Sequence, residues 1–426
     1  MRRLLKVLLA LLVVFALSQT PFAYRRYQLG KLDATIRQLD ASREVVDDAG
    51  FADYRGALHV HSFLGGHSAG RFEEIVAGAR ENALAFVVMS EHPSPHFDTR
   101  ALTLRGAHDG VLFLPGSETS EDERDRLLTF GSTTTQPTRN ADSNPSDGIC
   151  TDDGRRTNDN GQSPALPTQS QIDRAKAEGQ LVFVAHPETF AGWQSVQDFD
   201  GVEVYNLHAD AGNAPALTLL FDALWSYRAH PHLLWTRFHE APTENLRRWD
   251  ELTARGRRVV AVAGNDAHAN VGVSLQKLDG DPIFEIKLDP YERSFRVVRT
   301  HALLPHGQPL TEETLSAALA GGHAYVAFDL LCDATGFRLT ASNGSEQKLM
   351  GDEIALGGGV RLRAATPVAS RVVLLRDGRE VGEKEGALAE WDVTERGVYR
   401  VECYLPQLPD PLSRKPWIIS NPVYVR

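Results

Sequence analysis

With 426 residues, the chain is long enough for two domains, each with its own hydrophobic core. Its net charge of −11 argues against a protein that binds nucleic acid non-specifically, because such proteins need a basic face. A small anionic substrate stays open, since bound metal ions neutralise negative charge locally.

The segment 1–24 is typical of a secretory signal or a membrane anchor. Met1-Arg2-Arg3 is a basic start, and Leu4 to Leu17 is apolar apart from Lys6. Ala16-Leu17-Ser18 then offers small residues at the spacing that signal peptidase prefers. The apolar run is short for a membrane span, which favours a cleaved signal, whereas extension through Tyr24 would leave an uncleaved anchor. We therefore expect export, with membrane attachment through the N-terminus as the alternative.

The next part of the chain predicts a helix and then a mixed α/β domain. Residues 28–45 form a polar helix within the segment 25–50, and strands alternate with helical stretches from Ala57 to Asp266. This alternation is typical of a parallel βα sheet or barrel. The predicted helices are 72–82, 169–178, 217–227 and 243–255. The seven predicted strands end at residues 61, 92, 118, 131, 186, 206 and 268.

A polar insertion over residues 132–168 interrupts this pattern. It is rich in Ser, Thr, Asn, Asp, Gly and Pro and almost devoid of large apolar residues. Such a segment inside a domain is usually a functional lid or disordered, which favours a mobile insertion. Its Asp and Asn residues faintly suggest calcium ligation, but no complete calcium-loop spacing is present. These residues are Asp142, Asn144, Asp147, Asp152 and Asp153.

The tail, residues 328–426, predicts a β-sandwich that serves as a structural or docking module. Val360 to Ala364 alternates with period two, and Asp377-Gly378 and Ser342-Asn343-Gly344 are hairpin-type turns. Cys332 and Cys403 both fall in this tail, so their pairing stays open. Cys150 would then be left over, and three cysteines cannot form a closed disulfide framework.

Five apolar runs in the predicted α/β domain end in side chains that bind metal ions. Buried strands appear in a sequence as apolar runs of this kind. The carboxyl ends of parallel strands meet at one rim of the sheet or barrel, which is where βα folds have their active sites. Five such endings in one chain predict a metal site. The candidate ligands are His59, His61, Glu91, His92, Glu118, His186, Asp266 and His268.

Within this set, His59 and His61 are the strongest pair. Side chains two apart on a strand point the same way, so both imidazoles face one side. The structural alternative is a strand with two histidines that only make hydrogen bonds within the fold. Asp266 and His268 repeat the same spacing, which favours the metal site over this alternative. Imidazole suits zinc, iron or manganese, and carboxylate favours harder ions. Glu118 is the candidate bridge between two cations.

Some candidates have a competing structural interpretation. His186, followed by Pro187, would also fit a core histidine. Asn206 and Asn265, near the ends of two predicted strands, would orient a ligand or substrate, or simply end the strands. We leave out other histidines as loop or packing residues, and the chain has no Walker loop or dinucleotide fingerprint. The omitted histidines are His208, His230, His232 and His239.

The order of these motifs resembles the PHP (polymerase and histidinol phosphatase) superfamily. H-x-H, an acidic residue before His, Gly-x-Glu, Ala-His-Pro and Gly-x-Asp-x-His follow one another from Ala57 to His268. The resemblance implies a distorted seven-stranded, TIM-like βα barrel over 51–327 that holds divalent ions. Leu58 to Gly70 and the tail over Pro416 to Pro422 look like an exported, bacterial, membrane-associated branch, which implies a location in the periplasm or cell envelope.

Three features depart from the family pattern. The family usually has an Asp soon after H-x-H, whereas this chain has Gly65-Gly66-His67, so that His67 takes the place or the ligand is lost. Glu91 stands where Asp is more common. The family also often has a further His about ten residues after the bridging Glu, whereas here no His occurs between Glu118 and His186. We therefore expect one or two divalent ions (zinc, manganese or iron) rather than three.

The resulting hypothesis is hydrolysis of a phosphoester of a small anionic molecule by metal-activated water, with Asp266 or His268 moving a proton. A carbamate, amide or lactone is the alternative substrate, because a relative of this branch hydrolyses a carbamate ester. Basic residues that reach the site to hold a phosphate would favour the phosphoester, and Arg155 and Arg156 in the polar insertion are the candidates. The non-enzyme alternative is a degraded envelope binding protein with a structural metal.

Overall fold

The computed structural model describes residues 2–45, 49–120, 124–131, 167–208, 216–237, 239–270, 272–276, 282–287 and 289–426. The predicted insertion, with Cys150, Arg155, Arg156 and its Asp and Asn cluster, lies outside these residues except for its last two positions. The helices are α1 (Arg2–Ser18), α2 (Thr20–Ala41), α3 (Phe72–Glu81), α4 (Thr99–Leu102), α5 (Thr168–Ala177), α6 (Ala216–Ser226), α7 (Thr243–Ala254), α8 (Tyr291–Val297) and α9 (Glu312–Gly321). Short 3-10 helices span Phe63–Gly65, Gly192–Gln194, His232–Arg237 and Leu412–Arg414.

The strands of the first part of the chain are β1 (Phe51–Val60), β2 (Phe86–Met89), β3 (Gly106–His108), β4 (Val111–Leu114), β5 (Gly116–Ser120), β6 (Arg126–Phe130), β7 (Leu181–Val184), β8 (Gly201–Asn206), β9 (Val260–Ala267), β10 (Gly272–Gln276), β11 (Pro282–Lys287), β12 (Arg299–Pro305) and β13 (Ala324–Ala327). The tail contributes β14 (Arg338–Ser342), β15 (Gln347–Leu349), β16 (Glu353–Ile354), β17 (Val360–Arg376), β18 (Arg379–Val393), β19 (Gly397–Tyr404), β20 (Ile418–Ser420) and β21 (Val423–Val425).

The central strands are apolar because both of their faces are covered. β2, β7, β8 and β9 are buried along their whole length. Strands buried on both faces read as continuous apolar runs, which is why the sequence locates them. The mixed α/β class is confirmed, and helices α3, α5, α6 and α7 begin and end within a residue of the predicted bounds.

The sheet is not purely parallel, contrary to the simple βα pattern. β1 pairs in parallel with β2 and β9, and β7–β8–β9 are also parallel. β6, however, runs antiparallel to both β5 and β7. The register pairs Ser120 with Arg126, so the connection from β5 to β6 is too short for the crossover that a parallel pair needs. β12 adds an antiparallel neighbour to β1.

The N-terminal helices differ in their surroundings. α2 starts at Thr20, earlier than predicted, and buries four apolar residues at helical spacing in the main core: Leu29, Leu32, Ile36 and Leu39. α1, by contrast, exposes its apolar residues. By length and composition, the helical stretch Arg3–Ala41 is apolar enough to cross a membrane, and its most apolar window is not buried. This apolar helix is compatible with a signal sequence or an anchor.

The tail is rich in strands, as predicted. Its longest hairpin, β17–β18, turns at Asp377-Gly378, where both residues have positive φ (51° and 75°), as a two-residue hairpin turn requires. The sheet continues from the first part of the chain into the tail, because β13 pairs with β20 and β20 with β19. Cys332 and Cys403 are buried free thiols.

Candidate metal centre

Seven metal-binding side chains converge at the carboxyl ends of the central strands. His59 lies in β1 and His61 directly follows it, His92 follows β2, Glu118 lies in β5 and His186 follows β7. Asp266 lies in β9 and His268 directly follows it. Three groups of donor atoms lie within 4.8 Å of one another: His59 with His61 and Glu118, His59 with His186 and Asp266, and His61 with His92 and His268.

Glu118 lies in the middle of the histidines. Its Oε2 is 3.3 Å from His59 Nε2 and 3.4 Å from the Nε2 atoms of His61 and His92. Its Oε1 is 3.4 Å from His186 Nε2. A carboxylate with histidines beside both oxygens has the geometry of a bridge between two cations.

Asp266, on β9, has a similar position among the histidines. Its Oδ1 is 3.4 Å from the Nε2 atoms of both His59 and His61. Its Oδ2 is 3.4 Å from His186 Nε2 and accepts a 3.3 Å hydrogen bond from Asn206 Nδ2. Two carboxylates and their histidines thus share one buried space.

The donor atoms that face this space lack hydrogen-bond partners among the described residues. They are His59 Nε2, His61 Nε2, Glu118 Oε2 and Asp266 Oδ1, and each is buried. Leaving a buried polar atom unpaired costs about 1–3 kcal/mol, so four such atoms in one space need a common partner. Ligands about 2.1 Å from a tetrahedral ion lie roughly 3.4 Å apart, which matches the observed separations. The residues present fit a divalent metal ion.

The backbone at three donor residues is unusual. His59, His186 and Asp266 have φ values of 63°, 46° and 47°, in the left-handed region that residues with a Cβ rarely adopt. The pairing of β1 with β2 and β9 also shifts register near His59. Such conformations cost about 1–3 kcal/mol each and persist where the surrounding structure imposes them, often at functional sites. The direction of these side chains therefore depends on local backbone distortion as well as on simple strand alternation.

Glu203 is a buried member of the site that the sequence analysis did not select. Its Oε1 is 2.7 Å from His59 Nδ1, and its Oε2 accepts hydrogen bonds from the His186 backbone N–H and from Asn206 Nδ2. Gly264 makes room for it, since a Cβ there would lie 1.4 Å from Glu203 Oε1. An acidic residue inside the apolar run Gly201–Asn206 was the available signal.

Asn206 and Asn265 were paired in the prediction but have different surroundings. Asn206 touches the centre through Asp266 and Glu203. Asn265 faces away from the donors, because its Nδ2 donates to the backbone carbonyls of Ser294 and Val298. It ties β9 to α8.

Glu91 and His67 are not brought into the donor groups. The Glu91 carboxylate is buried and accepts hydrogen bonds from the Ser62 N–H, the Ser62 hydroxyl and the Thr103 hydroxyl. His67 is exposed at the entrance, with its ring 4.7 Å from that of His92. Glu91 therefore fixes the chain that follows His61.

Electrostatics divide the histidines into two kinds. Burial by itself lowers the pKa of His59, but the carboxylates, first Glu203 and then Asp266, raise it well above the usual 6.5. Burial also lowers the pKa of His186, and hydrogen bonds to Glu118 and Glu188 outweigh it and raise the pKa to about 10. A cation at this centre has to displace those protons, so metal affinity increases with pH.

The other three histidines favour the neutral imidazole. Burial, followed by the charge of His61, lowers the pKa of His92 to about 4. Burial is also the main cause that lowers the pKa values of His61 and His268. Neutral imidazole is the form that binds metal ions.

The centre opens into a cavity of about 730 Å³. Arg124 and Arg126 line it, and the Arg126 guanidinium lies 3.3 Å from Glu118 Oε1. His208, which the sequence analysis omitted, also lines the cavity, with its ring 5.2 Å from that of His268. The basic residues that reach the site are thus Arg124 and Arg126, whereas Arg155 and Arg156 lie outside the described residues.

No protein-family profile and no curated protein sequence matches the chain. Similar solved structures include a two-domain protein from Bacteroides vulgatus, described as containing a predicted PHP-like metal-dependent phosphoesterase (14% identity, TM-score 0.36, covering 89% of this chain and 98% of that chain). Another is endonuclease Q bound to a DNA duplex with an abasic lesion (12% identity, TM-score 0.36, covering 63% of this chain and 57% of that chain). Similarities at TM-scores this low carry no inference about the family or the activity of this chain.

Proposed function

We propose that the protein is a metal-dependent hydrolase that acts on phosphoesters of small molecules. The observation that carries this proposal is the set of buried donor atoms without partners, shared between Glu118, Asp266 and the surrounding histidines. A bound divalent ion would supply the Lewis acidity that makes water a nucleophile at neutral pH and polarises the substrate.

The ligand assignment follows the donor groups. His59, His186 and Asp266 would hold one ion, and His61, His92 and His268 a second, with Glu118 between them. We assign Glu91 and His67 to supporting and entrance positions rather than to ligation. One or two ions of zinc, manganese or iron suit this mixture of imidazole and carboxylate.

Residues at the wall of the cavity would bind the substrate and move protons. Arg126 presents a planar guanidinium beside Glu118, and an anionic phosphoryl group matches its donors better than a neutral carbamate does. His268 would hold the second ion through one ring nitrogen, and its Nδ1 lies 2.8 Å from the Asp266 backbone carbonyl, so Asp266 is the residue that would move a proton.

Arg126 also supports the choice between the candidate activities. A carbamate, amide or lactone substrate does not need a fixed positive charge at the entrance, and a structural metal site does not need a cavity. A small-molecule substrate agrees with the acidic net charge of −11, which disfavours a polyanion.

The finer architecture belongs to the same proposal. If β4 and β5 count as one strand, the pairings run through seven strands and return from β9 to β1, and a bridge between Glu91 and Ser117 extends the contact of β2 with this strand. We propose that this set of seven strands is the distorted barrel of a domain over 51–327, that 328–426 folds as a β-sandwich, and that residues 1–24 export the chain to the periplasm or envelope.

The experiment that tests the function is metal analysis together with activity. The purified chain is expected to contain a divalent metal and to hydrolyse phosphomonoesters faster than carbamates, with an abasic DNA duplex included as a further substrate. His59→Ala should lower metal content and decrease turnover by more than roughly 100-fold while the protein stays folded by circular dichroism. His108→Ala, at an exposed histidine on β3, is the matched control. Full turnover in His59→Ala would refute the assignment.

A further inference from the structure

Helix α6 lies against the junction of the two N-terminal helices. The Phe221 ring is 5.4 Å from that of Phe22 and 6.5 Å from that of Phe15. Trp225 Nε1 donates a hydrogen bond of 3.1 Å to Gln19 Oε1, at the residue between α1 and α2. The helix that follows β8 in the chain therefore packs on the junction between α1 and α2.

The described part of α6 turns its charge inward and an apolar side chain outward. Asp222 is the single charged residue in the sequence of α6, and it is buried and paired with Arg25 at 2.7 Å and Arg237 at 2.9 Å. Leu224, on the outer side, is 69% exposed. At eleven residues, α6 is roughly 16 Å long and too short to span a bilayer. An apolar helix whose one charged side chain is buried and paired suits the boundary of a bilayer.

Aromatic and basic side chains surround the same junction. Tyr24 and Tyr27 are 61% and 57% exposed, about two to three turns beyond the apolar run of α1. Arg26 and Lys31 are exposed beside them and line a groove of about 450 Å³ along α2. Tyrosines at the interface and cations near anionic headgroups are the features that hold proteins at a membrane surface.

We propose that α1 remains on the chain as an uncleaved anchor and that α6 is a second membrane contact, which lies in the interfacial layer of a bilayer containing anionic phospholipids. Continuity with α1 and the charges of Arg26 and Lys31 single out lipid as the occupant of this face. The inference does not depend on the hydrolase activity.

This contact would place the metal centre close to the membrane. Asn206, at the end of β8, touches the donors, and α6 starts at Ala216. Ten residue steps span at most about 35 Å, which bounds the distance from the centre to the start of α6.

The test measures the environment of position 224 in the full chain. Leu224→Cys is made in a Cys150→Ser background, since Cys332 and Cys403 are buried, and labelled with a polarity-sensitive fluorophore. Val381→Cys, at a 47% exposed residue of β18, is the matched control. In vesicles of equal phosphatidylcholine and phosphatidylglycerol, the label at 224 should shift to the blue and become severalfold less quenched by iodide than the label at 381. Pure phosphatidylcholine, or Arg26→Glu with Lys31→Glu, should weaken the shift.

Two results would overturn the proposal. In the first, the label at 224 remains as accessible to iodide as the label at 381 in anionic vesicles. In the second, its protection rises with the number of chains per vesicle, which would mean that a second copy of the chain covers the face. Circular dichroism of each labelled variant separates these results from misfolding.

Discussion

Glu203 orients the metal-binding face of His59 without joining the donor groups. Its carboxylate is fully buried and lies 2.7 Å from His59 Nδ1, which leaves His59 Nε2 directed at Glu118 and Asp266. A carboxylate on the far nitrogen of a ligating histidine fixes the ring and raises its basicity. Gly264 is required beside it, because any Cβ would occupy the position of the carboxylate.

We expect Glu203→Gln to weaken metal binding by about 10- to 100-fold, because the neutral amide interacts less strongly with the His59 ring. Gly264→Ala should act in the same direction by displacing Glu203. Competition with a metal-sensitive chelator measures the affinity without reference to activity.

Asn265→Ala is the control for this prediction. Asn265 neighbours Asp266 but donates to the Ser294 and Val298 carbonyls, so its loss should lower stability and leave metal affinity nearly unchanged. Equal affinity in Glu203→Gln and the wild-type chain would show that Glu203 has no positioning role.

At the residue scale, the sequence predicted which residues are candidate donors, but not the directions of their side chains. The spacing of His59 and His61 indicates one shared face, yet His59 has a φ of 63° and β1 ends at Val60. Their rings still meet, with centroids 5.0 Å apart. Neighbouring strands impose this conformation, and no local sequence rule contains it.

At the scale of elements, the β5–β6 hairpin brings a carboxylate and a guanidinium to the site together. Glu118 pairs with Leu128 and Ser120 with Arg126, so that Arg126 reaches back to Glu118 Oε1. The sequence analysis merged β4 and the start of β5 into one strand that ends at Glu118 and took β6 for a parallel strand, so it did not predict that Arg126 reaches the centre. A short connection was the available signal.

We expect Arg126→Met to raise the KM for a phosphomonoester by roughly 10- to 150-fold, the equivalent of a lost charged hydrogen bond of about 1.5–3 kcal/mol. Metal content should not change, since a guanidinium does not bind cations. Steady-state kinetics and metal analysis on the same preparation check both statements.

Arg126→Lys, which keeps the charge but not the planar fork, should fall between the wild type and Arg126→Met. A carbamate substrate should respond much less to either change. If the phosphomonoester and the carbamate lost affinity equally, Arg126 would have no role in selecting phosphate.

At the scale of the whole molecule, a buried charge network holds the first part of the chain to the tail. His301 on β12 lies 2.8 Å from Asp53 and 3.2 Å from Asp329, and Arg338 on β14 lies 3.0 Å from Asp53. Burial lowers the pKa of His301, but Asp329 and Asp53 outweigh it and raise the pKa to about 9. His301 is therefore charged in the folded protein at neutral pH.

This network predicts a loss of stability at alkaline pH. The folded-state pKa of His301 is above the usual 6.5, so its contribution is complete below pH 6.5 and is lost as the pH rises through about 9. The loss is roughly 3 kcal/mol in the free energy of unfolding. Urea unfolding at several pH values should show this decrease in the wild type and in the exposed control His108→Gln, and a decrease smaller by this amount in His301→Gln, where His59 and His186 still contribute. A parallel decrease in His301→Gln would assign the effect to other groups.

The acidic side of the same network has the opposite sign. Burial raises the pKa values of Asp53 and Asp329, but His301 lowers both below the usual 3.8. Their contribution is present above pH 3.8 and is lost as the pH falls through their folded-state pKa values.

A second link between the parts is the buried pair Arg400 and Asp250, which joins β19 to α7 through two contacts of 2.7 Å. Arg400→Met should cost about 3–5 kcal/mol in unfolding free energy, because Asp250 is left as a buried unpaired charge. Arg361→Met breaks an exposed pair with Asp392 and should leave the unfolding free energy nearly unchanged. Denaturant unfolding measures the unfolding free energy of both variants. A similar loss in Arg400→Met and Arg361→Met would contradict the role assigned to burial.

The sequence by itself determined the α/β class, most strand and helix positions, the strand-rich tail and the set of candidate donors. These depend on local patterns: apolar runs, helical periodicity, turn residues and the side chains that end each run. Only the tertiary structure decided the antiparallel β5–β6–β7 pairing, the support of His59 by Glu203, the position of Arg126 and the removal of Glu91 from the donor groups. Each of these depends on contacts between residues far apart in the chain, whose free energies arise only when the strands pack together.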